Sequence, residues 1–533
     1  MILLIWTSVL IAIIVLYFNK VYSRFSDCGV KHLRVVPFFG NMAGILLRQR
    51  HFSDQLEKLY HTFKNERFVG SYEFMKPTVM IRDIELVKKI TIKDFEYFID
   101  HRAFADDKVE PLFARNLFAL KGEEWKDMRS TLSPAFTSSK IKLMVPFMEE
   151  VGEQMIRALK KKINESKTGH INVDCKDLTS RYANDVIASC AFGLKVDSHT
   201  DEENQFYEMG KLVSEFKLRQ MLFFFVLSAC PVLVKYLKIS LFTTRTKDFF
   251  IDLVTSTMKN REMKNIIRPD MIHLLMEAKK GRLAHEEKTG NDVIQDTGFA
   301  TVEESAVGKK SITRVWSDND LTAQAVLFFI AGFETISIAM SFALHELAVH
   351  PEVQDRLVKE IKEEHVKNDG KLNFNAIQSM AYMDMVTSEV LRLWPPILAL
   401  DRQCLKDYNM GKPNSEATED FIMKQGEILS MPVWCFHHDP EYFPDPYKFD
   451  PQRFSEENKQ KINPMAYMPF GIGPRNCIGS RFALCELKSL LYQILLHMEV
   501  SPSERTCLPA QLSNESFNPR MLGGHWLRFK IRD

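Results

Sequence analysis

A mainly α-helical fold, with one large catalytic domain, a small β-sheet region and an N-terminal transmembrane helix, is what the 533-residue sequence predicts. Three observations predict it. Residues 2 to 18 form an apolar run broken only by Thr7 and Ser8. Helical periodicity dominates from about 84 to 275 and returns at 317 to 350. Only residues 68 to 82 alternate as strands do, with a Lys-Pro break that reads as a hairpin or two short strands.

The apolar run spans about 25 Å as a helix, near the thickness of a thin bilayer. No charged residue precedes it and no Ala-x-Ala cleavage site follows, so it reads as an uncleaved anchor rather than a signal peptide. Lys20, Arg24, Lys31 and Arg34 come just after it, and this basic flank predicts that the rest of the chain is cytosolic. The sequons at Asn164 and Asn514 then never meet the glycosylation machinery. The expected division is an anchor at 1–19, a linker and first helix at 20–66, and a single catalytic domain at 67–533. Val36-Pro37-Phe38-Phe39-Gly40 is a stiff turn leaving the membrane. Residues 221 to 242 are apolar but broken by Pro231, and three readings stand for them: membrane-dipping, pocket-lining or core. Residues 279 to 318 read as a polar surface loop.

Composition excludes some functions. Seventy Lys and Arg balance 69 Asp and Glu, and no basic stripe suggests nucleic acid. A hydrophobic share of 45% excludes bulk disorder. Thirty-nine Phe against 6 Trp imply that the chain lines, or touches, something apolar. The nine cysteines are scattered, with no Cys-x-x-Cys pair, which argues against a zinc knuckle or a disulfide framework. Most therefore read as packing residues.

Cys477 is the exception. Residues 470 to 479 read FGIGPRNCIG. A dinucleotide loop fails here, because Asn476 stands where the third glycine belongs. A metal-thiolate loop fits better. Gly473 and Gly479 bracket the cysteine and let a flat ligand approach the backbone. Arg475 offers a positive charge to a carboxylate on that ligand. The helix expected after Gly479 points its N-terminus at the sulfur and favours the anion.

The spacing Phe470-x-x-Gly473-x-Arg475-x-Cys477-x-Gly479, with Gly471 inside it, resembles the heme-binding loop of the cytochrome P450 family, the heme-thiolate monooxygenases. The resemblance implies that family's helical fold, with Cys477 as axial ligand of a heme b iron. Further motifs agree with it. Glu389 and Arg392 stand at i,i+3, and Arg453 in Pro451-Gln452-Arg453-Phe454 completes the family's structural charge network. Trp125 and Arg129 at i,i+4 match its Trp-x-x-x-Arg, which binds a heme propionate. Arg402 and Arg475 are the other implied propionate partners.

The helix predicted at 317 to 350 starts on a Ser317 or Asp318 cap and ends before Pro351. Its centre, Ala331-Gly332-Phe333-Glu334-Thr335, resembles the family's oxygen-activating segment. Gly332 offers room, Thr335 a hydroxyl that can also bond an upstream carbonyl, and Glu334 a proton source. On the same helix, His345 and His350 imitate a zinc-peptidase box, but at a separation of five they point about 140° apart.

The resemblance covers nearly the whole chain and is strongest to the insect detoxification branch of microsomal enzymes. One departure is the leader, where a lone Pro37 replaces a richer proline cluster. It implies an O2-dependent monooxygenase acting on lipophilic xenobiotics or endogenous lipids at the endoplasmic reticulum membrane. No flavin or nicotinamide fingerprint is present, so electrons must come from a partner; the resemblance implies that NADPH is used indirectly, through a membrane-bound NADPH–cytochrome reductase, with cytochrome b5 as a further candidate donor. The implied substrate pocket takes in Phe118, Phe223 to Phe225, Phe328, Phe329, Phe333, Leu398 to Leu400 and the Phe517–Leu522 turn. Heme-thiolate isomerases or dehydratases, and a non-catalytic heme-binding membrane protein, are the alternatives; neither needs the Glu334–Thr335 pair.

Overall fold

In the computed structural model the apolar run is one helix, α1 (Ile2–Val21), with Lys20 in its last turn and only Phe18 buried. The structure describes residues 2–102, 107, 110–214, 220, 223, 226–227, 231–237, 239–280, 298–303, 305, 307 and 316–532. Nine strands follow among these: β1 (Phe68–Glu73), β2 (Lys76–Ile81), β3 (His170–Asp174), β4 (Leu400–Gln403), β5 (Tyr408–Asn409), β6 (Ile422–Met423), β7 (Ile428–Met431), β8 (Met498–Pro502) and β9 (Trp526–Ile531). The chain forms two compact units.

The first unit comprises residues 1–104, 216–241 and 398–436. Its four-stranded sheet has the order β1-β2-β7-β4, with β2 and β7 parallel and the outer pairs antiparallel. The expected hairpin is β1–β2, and consecutive residues on each strand, Phe68 to Gly70 and Thr78 to Ile81, are buried. Phe25 lies so close over Gly70 that a Cβ there would meet its ring at 2.5 Å. Of residues 221 to 242, Pro231–Tyr236 form a short helix that exposes Val232, Leu233 and Tyr236 and buries Val234. Phe224 and Phe225 lie outside the described residues.

The second unit comprises residues 105–215, 242–397 and 437–533. Its helices relevant to the site are α2 (Gly122–Leu132), α3 (Val145–Glu165), α4 (Cys175–Ile187), α5 (Gln205–Ser214), α6 (Thr244–Lys264), α7 (Asp318–Val349), α8 (Ala381–Leu393) and α9 (Ser480–His497). As expected, α7 begins on Ser317, whose hydroxyl accepts from the Asp320 N–H while Asp320 accepts from the Ser317 N–H. It ends at Val349, just before Pro351, after about 48 Å. It is long and apolar enough to cross a membrane but mostly buried, so it is the core helix of this unit, whereas α1 is almost wholly exposed. Helices α4, α5, α6 and α9 pack against α7, and α3 packs on α9.

Two expectations change. The stretch from about 84 to 275, in which helical periodicity dominates, also contains β3, which pairs with β9 in the sheet β3-β9-β8. The segment 279 to 318 is not all surface: Trp316 and Ala300 are buried, and Phe299 packs on Phe454 and Tyr467. Residues 281–297 of that segment lie outside the described residues.

Candidate heme-thiolate site

The loop before α9 is held by its own backbone. The Gly471 N–H donates to Met468 O at 3.0 Å, Asn476 N–H to Gly473 O at 3.0 Å, and Cys477 N–H to Phe470 O at 2.8 Å. Gly471 and Gly473 have φ of 74° and 70°, in the left-handed region that a side chain would strain. Gly479 is different. Its φ is −95°, open to any residue, and a Cβ there would meet only the Phe136 ring edge, at 3.7 Å. Its missing side chain leaves flat backbone beside the thiol. The Cys477 side chain is solvent-accessible, yet its thiol is pushed up by burial, against the Gly479 N–H and the Arg129 charge. A bound cation would draw such a thiol to the thiolate.

The basic residues around the loop are already engaged. Arg129, buried on α2, donates to Asn476 O at 2.7 Å and to Asn476 Oδ1 at 2.8 Å, fixing the residue before the cysteine. Arg475 donates to the carbonyls of Leu117, Phe118 and Leu120, at 3.2, 3.4 and 2.7 Å. Its guanidinium lies 4.1 Å from the centre of the Trp125 ring. Arg402 belongs to the first unit, buried on β4. Burial lowers its guanidinium to about 10, and it pairs with no carboxylate among the described residues. Its neighbour's carboxylate, Asp401, is spent on His101 and Arg102, while Arg402 donates to the Asp401 carbonyl at 2.6 Å.

Behind the thiolate loop the predicted charge network closes in full. Glu389 takes a two-pronged bond from Arg392, Oε2 to Nε at 2.7 Å and Oε1 to Nη2 at 2.9 Å, with both side chains fully buried. Arg453 pairs with Glu389 at 3.4 Å, and the Asp450 N–H donates to it at 2.9 Å. The structure adds a residue the sequence did not single out, His437. Arg392 donates to the His437 carbonyl at 2.8 Å, His437 Nδ1 meets the Arg392 carbonyl at 3.0 Å, and Nε2 accepts from the Met468 N–H at 3.0 Å. That pattern requires the Nδ1–H tautomer, and burial keeps the ring neutral, well below its usual range. His437 thus joins the Glu389 network to the start of the cysteine loop. A buried polar residue in a Phe-His-His-Asp-Pro turn was the available signal.

On α7 the predicted residues divide among faces. The Thr335 hydroxyl donates to Ala331 O at 2.6 Å, as expected. Ala331 is exposed in the middle of a buried helix, and Phe328 and Thr335 on the same face are partly accessible. Phe328 packs edge-on against Phe136. Gly332 is not beside open space. A Cβ there would meet Ile187 at 3.1 Å, so this glycine lets α4 lie close. Phe329 and Phe333 point the other way, into an aromatic cluster with Phe192, Phe206, Phe250 and Tyr207. At about 100° per residue, one helical step separates the face of Phe328 from that of Phe329. Phe118 and Leu522 are partly exposed, and Leu398 is buried in the first unit.

Glu334 is not a free acid. Its Oε2 lies 3.1 Å from Lys176 Nζ, and its Oε1 lies 3.1 Å from Arg520 Nη2 and 3.4 Å from Asn518 Nδ2. Lys176 Nζ also donates to Ser180 Oγ at 3.0 Å and Ser337 Oγ at 2.7 Å. Burial alone would raise the Glu334 carboxyl, but the two cations outweigh it and hold it below the usual range. At rest it is a carboxylate, and must receive a proton before it can give one.

These groups fit a flat dianionic iron porphyrin. Within the second unit Cys477 offers a sulfur that could ligate the iron, Gly479 a bare backbone, and Ala331 and Thr335 an accessible helix face. Comparison with known proteins agrees. The family model for cytochrome P450 matches residues 31–521. Cytochrome P450 9e2 of Blattella germanica is 44% identical over 98% of this chain and 96% of its own. Probable cytochrome P450 9f2 and probable cytochrome P450 6a13 of Drosophila melanogaster are 42% and 38% identical, over 96% and 93% of this chain and 95% and 92% of their own. Motifs, clamp and full-length similarity lead to one conclusion: the chain belongs to the cytochrome P450 family, whose members have this mostly helical fold and bind heme b.

Proposed function

We propose that the protein is an O2- and NADPH-dependent monooxygenase that inserts one oxygen atom into lipophilic xenobiotics or endogenous lipids. Its electrons come from a separate NADPH–cytochrome reductase, with cytochrome b5 as a second donor. Helix α1 anchors it in the endoplasmic reticulum membrane, and both compact units serve one catalytic domain, as a family match running through both supports.

The observation that carries this reading is the open face of α7. A buried helix of 32 residues exposes Ala331 at its centre, beside a Thr335 hydroxyl bonded back to that residue, with Glu334 next in sequence. A non-catalytic heme carrier has no need of such a face. Bound heme supplies oxygen activation at its iron. Cys477 holds that iron, and Arg402, Arg475, Trp125 and Arg129 hold or frame the propionate edge. Thr335 presents its hydroxyl for proton transfer, and Glu334 relays protons toward it. Phe118, Phe328 and Leu522 line the apolar approach, with Leu398 a further contributor.

The test is a carbon monoxide difference spectrum of the reduced holoprotein. The wild type gives the red-shifted Soret band of a thiolate-ligated heme, and Cys477→His loses it. NADPH consumption by the holoprotein with added reductase then separates a monooxygenase from a heme-thiolate isomerase. Survival of the band in Cys477→His, or peroxide turnover with no reductase requirement, overturns the reading.

A further inference from the structure

The cations that hold Glu334 come from two distant places. Lys176 is on α4, one of the helices packed along α7. Arg520 is on the turn before β9, and its backbone is pinned: the Ser513 N–H donates to Arg520 O at 2.8 Å, and Leu522 N–H to Gln511 O at 2.8 Å. Beyond it the Met521 N–H donates to His525 Nε2 at 3.0 Å. The same turn carries Phe517 and Leu522, both substantially exposed. A single short segment therefore presents apolar groups outward and reaches a guanidinium inward to the carboxylate.

We infer that Arg520, together with Lys176, is a positioning residue for Glu334, and that it ties the apolar C-terminal turn to the efficiency with which electrons become product. The inference rests on the monooxygenase reading above. Arg520 and Lys176 share one carboxylate, each on its own oxygen, so loss of the Arg520 contact changes the charge around Glu334. The polar groups that face Glu334 are Lys176 from α4, and Arg520 and Asn518 from the turn. Around Lys176 stand Ser180, Ser337, Asp174 and His525. Among these, Arg520 is the one charged group on an element that also exposes apolar side chains, Phe517 and Leu522.

The experiment measures product formed per NADPH against pH, in reductase-coupled holoprotein, for wild type, Arg520→Met, Arg520→Lys and Glu334→Gln. Removing one cation from beside a carboxylate raises its pKa by about one unit or more. Arg520→Met therefore moves the acidic limb of the profile up by about one pH unit, Arg520→Lys returns it toward wild type, and Glu334→Gln removes the limb. A second readout needs no turnover. The infrared carbonyl band of a protonated carboxylic acid, assigned by its loss in Glu334→Gln, titrates at higher pH in Arg520→Met. If the limb and the band of Arg520→Met stay at their wild-type positions while Glu334→Gln alters both, Arg520 does not position Glu334. If Glu334→Gln leaves the coupling profile as in wild type, the proton-relay part of the functional reading fails instead.

Discussion

The charge network behind Cys477 and the charge network around Glu334 use similar groups in opposite ways. In the first, the carboxylate of Glu389 is held by Arg392, Arg453 and a backbone N–H, and Glu389 and Arg392 are fully buried. In the second, Glu334 is shared between two cations, and Arg520 is one-third exposed on a turn at the edge of the unit. A buried ion pair is costly to desolvate and returns that cost only with close geometry and all its partners in place. The Glu389 network meets that condition and acts as a fixed mount for the cysteine loop. The Glu334 network instead has one partner, Arg520, whose side chain is open to solvent, as suits a group that must change protonation.

The largest expected effect breaks the mount. Arg392→Met leaves the Glu389 charge buried with only Arg453 beside it, and such losses cost about 3–5 kcal/mol. Denaturant unfolding should show that loss, together with weakened retention of the red-shifted Soret band. A loss under about 1 kcal/mol would mean that the mount is not what stabilises this unit. His437→Ala is next. It removes the acceptor of the Met468 N–H, at about 1–3 kcal/mol. Its sign with pH is distinctive. His437 is neutral in the folded protein, while the unfolded chain binds a proton below about pH 6.5. Wild-type stability therefore falls as pH drops through that range, and His437→Ala escapes this part of the fall. Between pH 7.5 and 5.5 the gap between the two proteins should narrow by about 1.4 kcal/mol. A gap that does not change with pH would show that His437 is charged when folded.

The two networks also differ in how far they could be read from the sequence. The cysteine loop closes through bonds between residues a few positions apart, and Glu389 with Arg392 is an i,i+3 pair, so spacing alone exposes them. The Ser317 cap and the hairpin at 68 to 82 are local in the same sense. Glu334 meets Lys176 and Arg520 across 158 and 186 positions, and no local pattern marks either partner. The same limit explains the misplacement of Phe329 and Phe333. Richness in Phe suggests an apolar lining, but one helical step decides between the accessible face and the core, and that step is set by which helices pack on α7. Gly332 shows a related limit: a glycine that admits a neighbouring helix and one that admits a small ligand look alike in sequence.

Thr335 should give the smallest change in stability and the cleanest separation between the networks. Its hydroxyl bonds the Ala331 carbonyl of its own helix, and a Thr in mid-helix is disfavoured against Ala by intrinsic propensity, at roughly half a kcal/mol. Thr335→Ala should therefore unfold within about 0.5 kcal/mol of wild type and keep the red-shifted Soret band, since it touches nothing in the Glu389 mount. Product per NADPH should nevertheless fall, because the group lost stands on the open face of α7 where protons are to be delivered. Stability and chemistry would then come apart at Thr335, as they cannot at Arg392, where one substitution loosens both fold and ligand. If Thr335→Ala keeps the wild-type ratio of product to NADPH, the hydroxyl serves only to close the helix on Ala331, and proton delivery on this face must run without it.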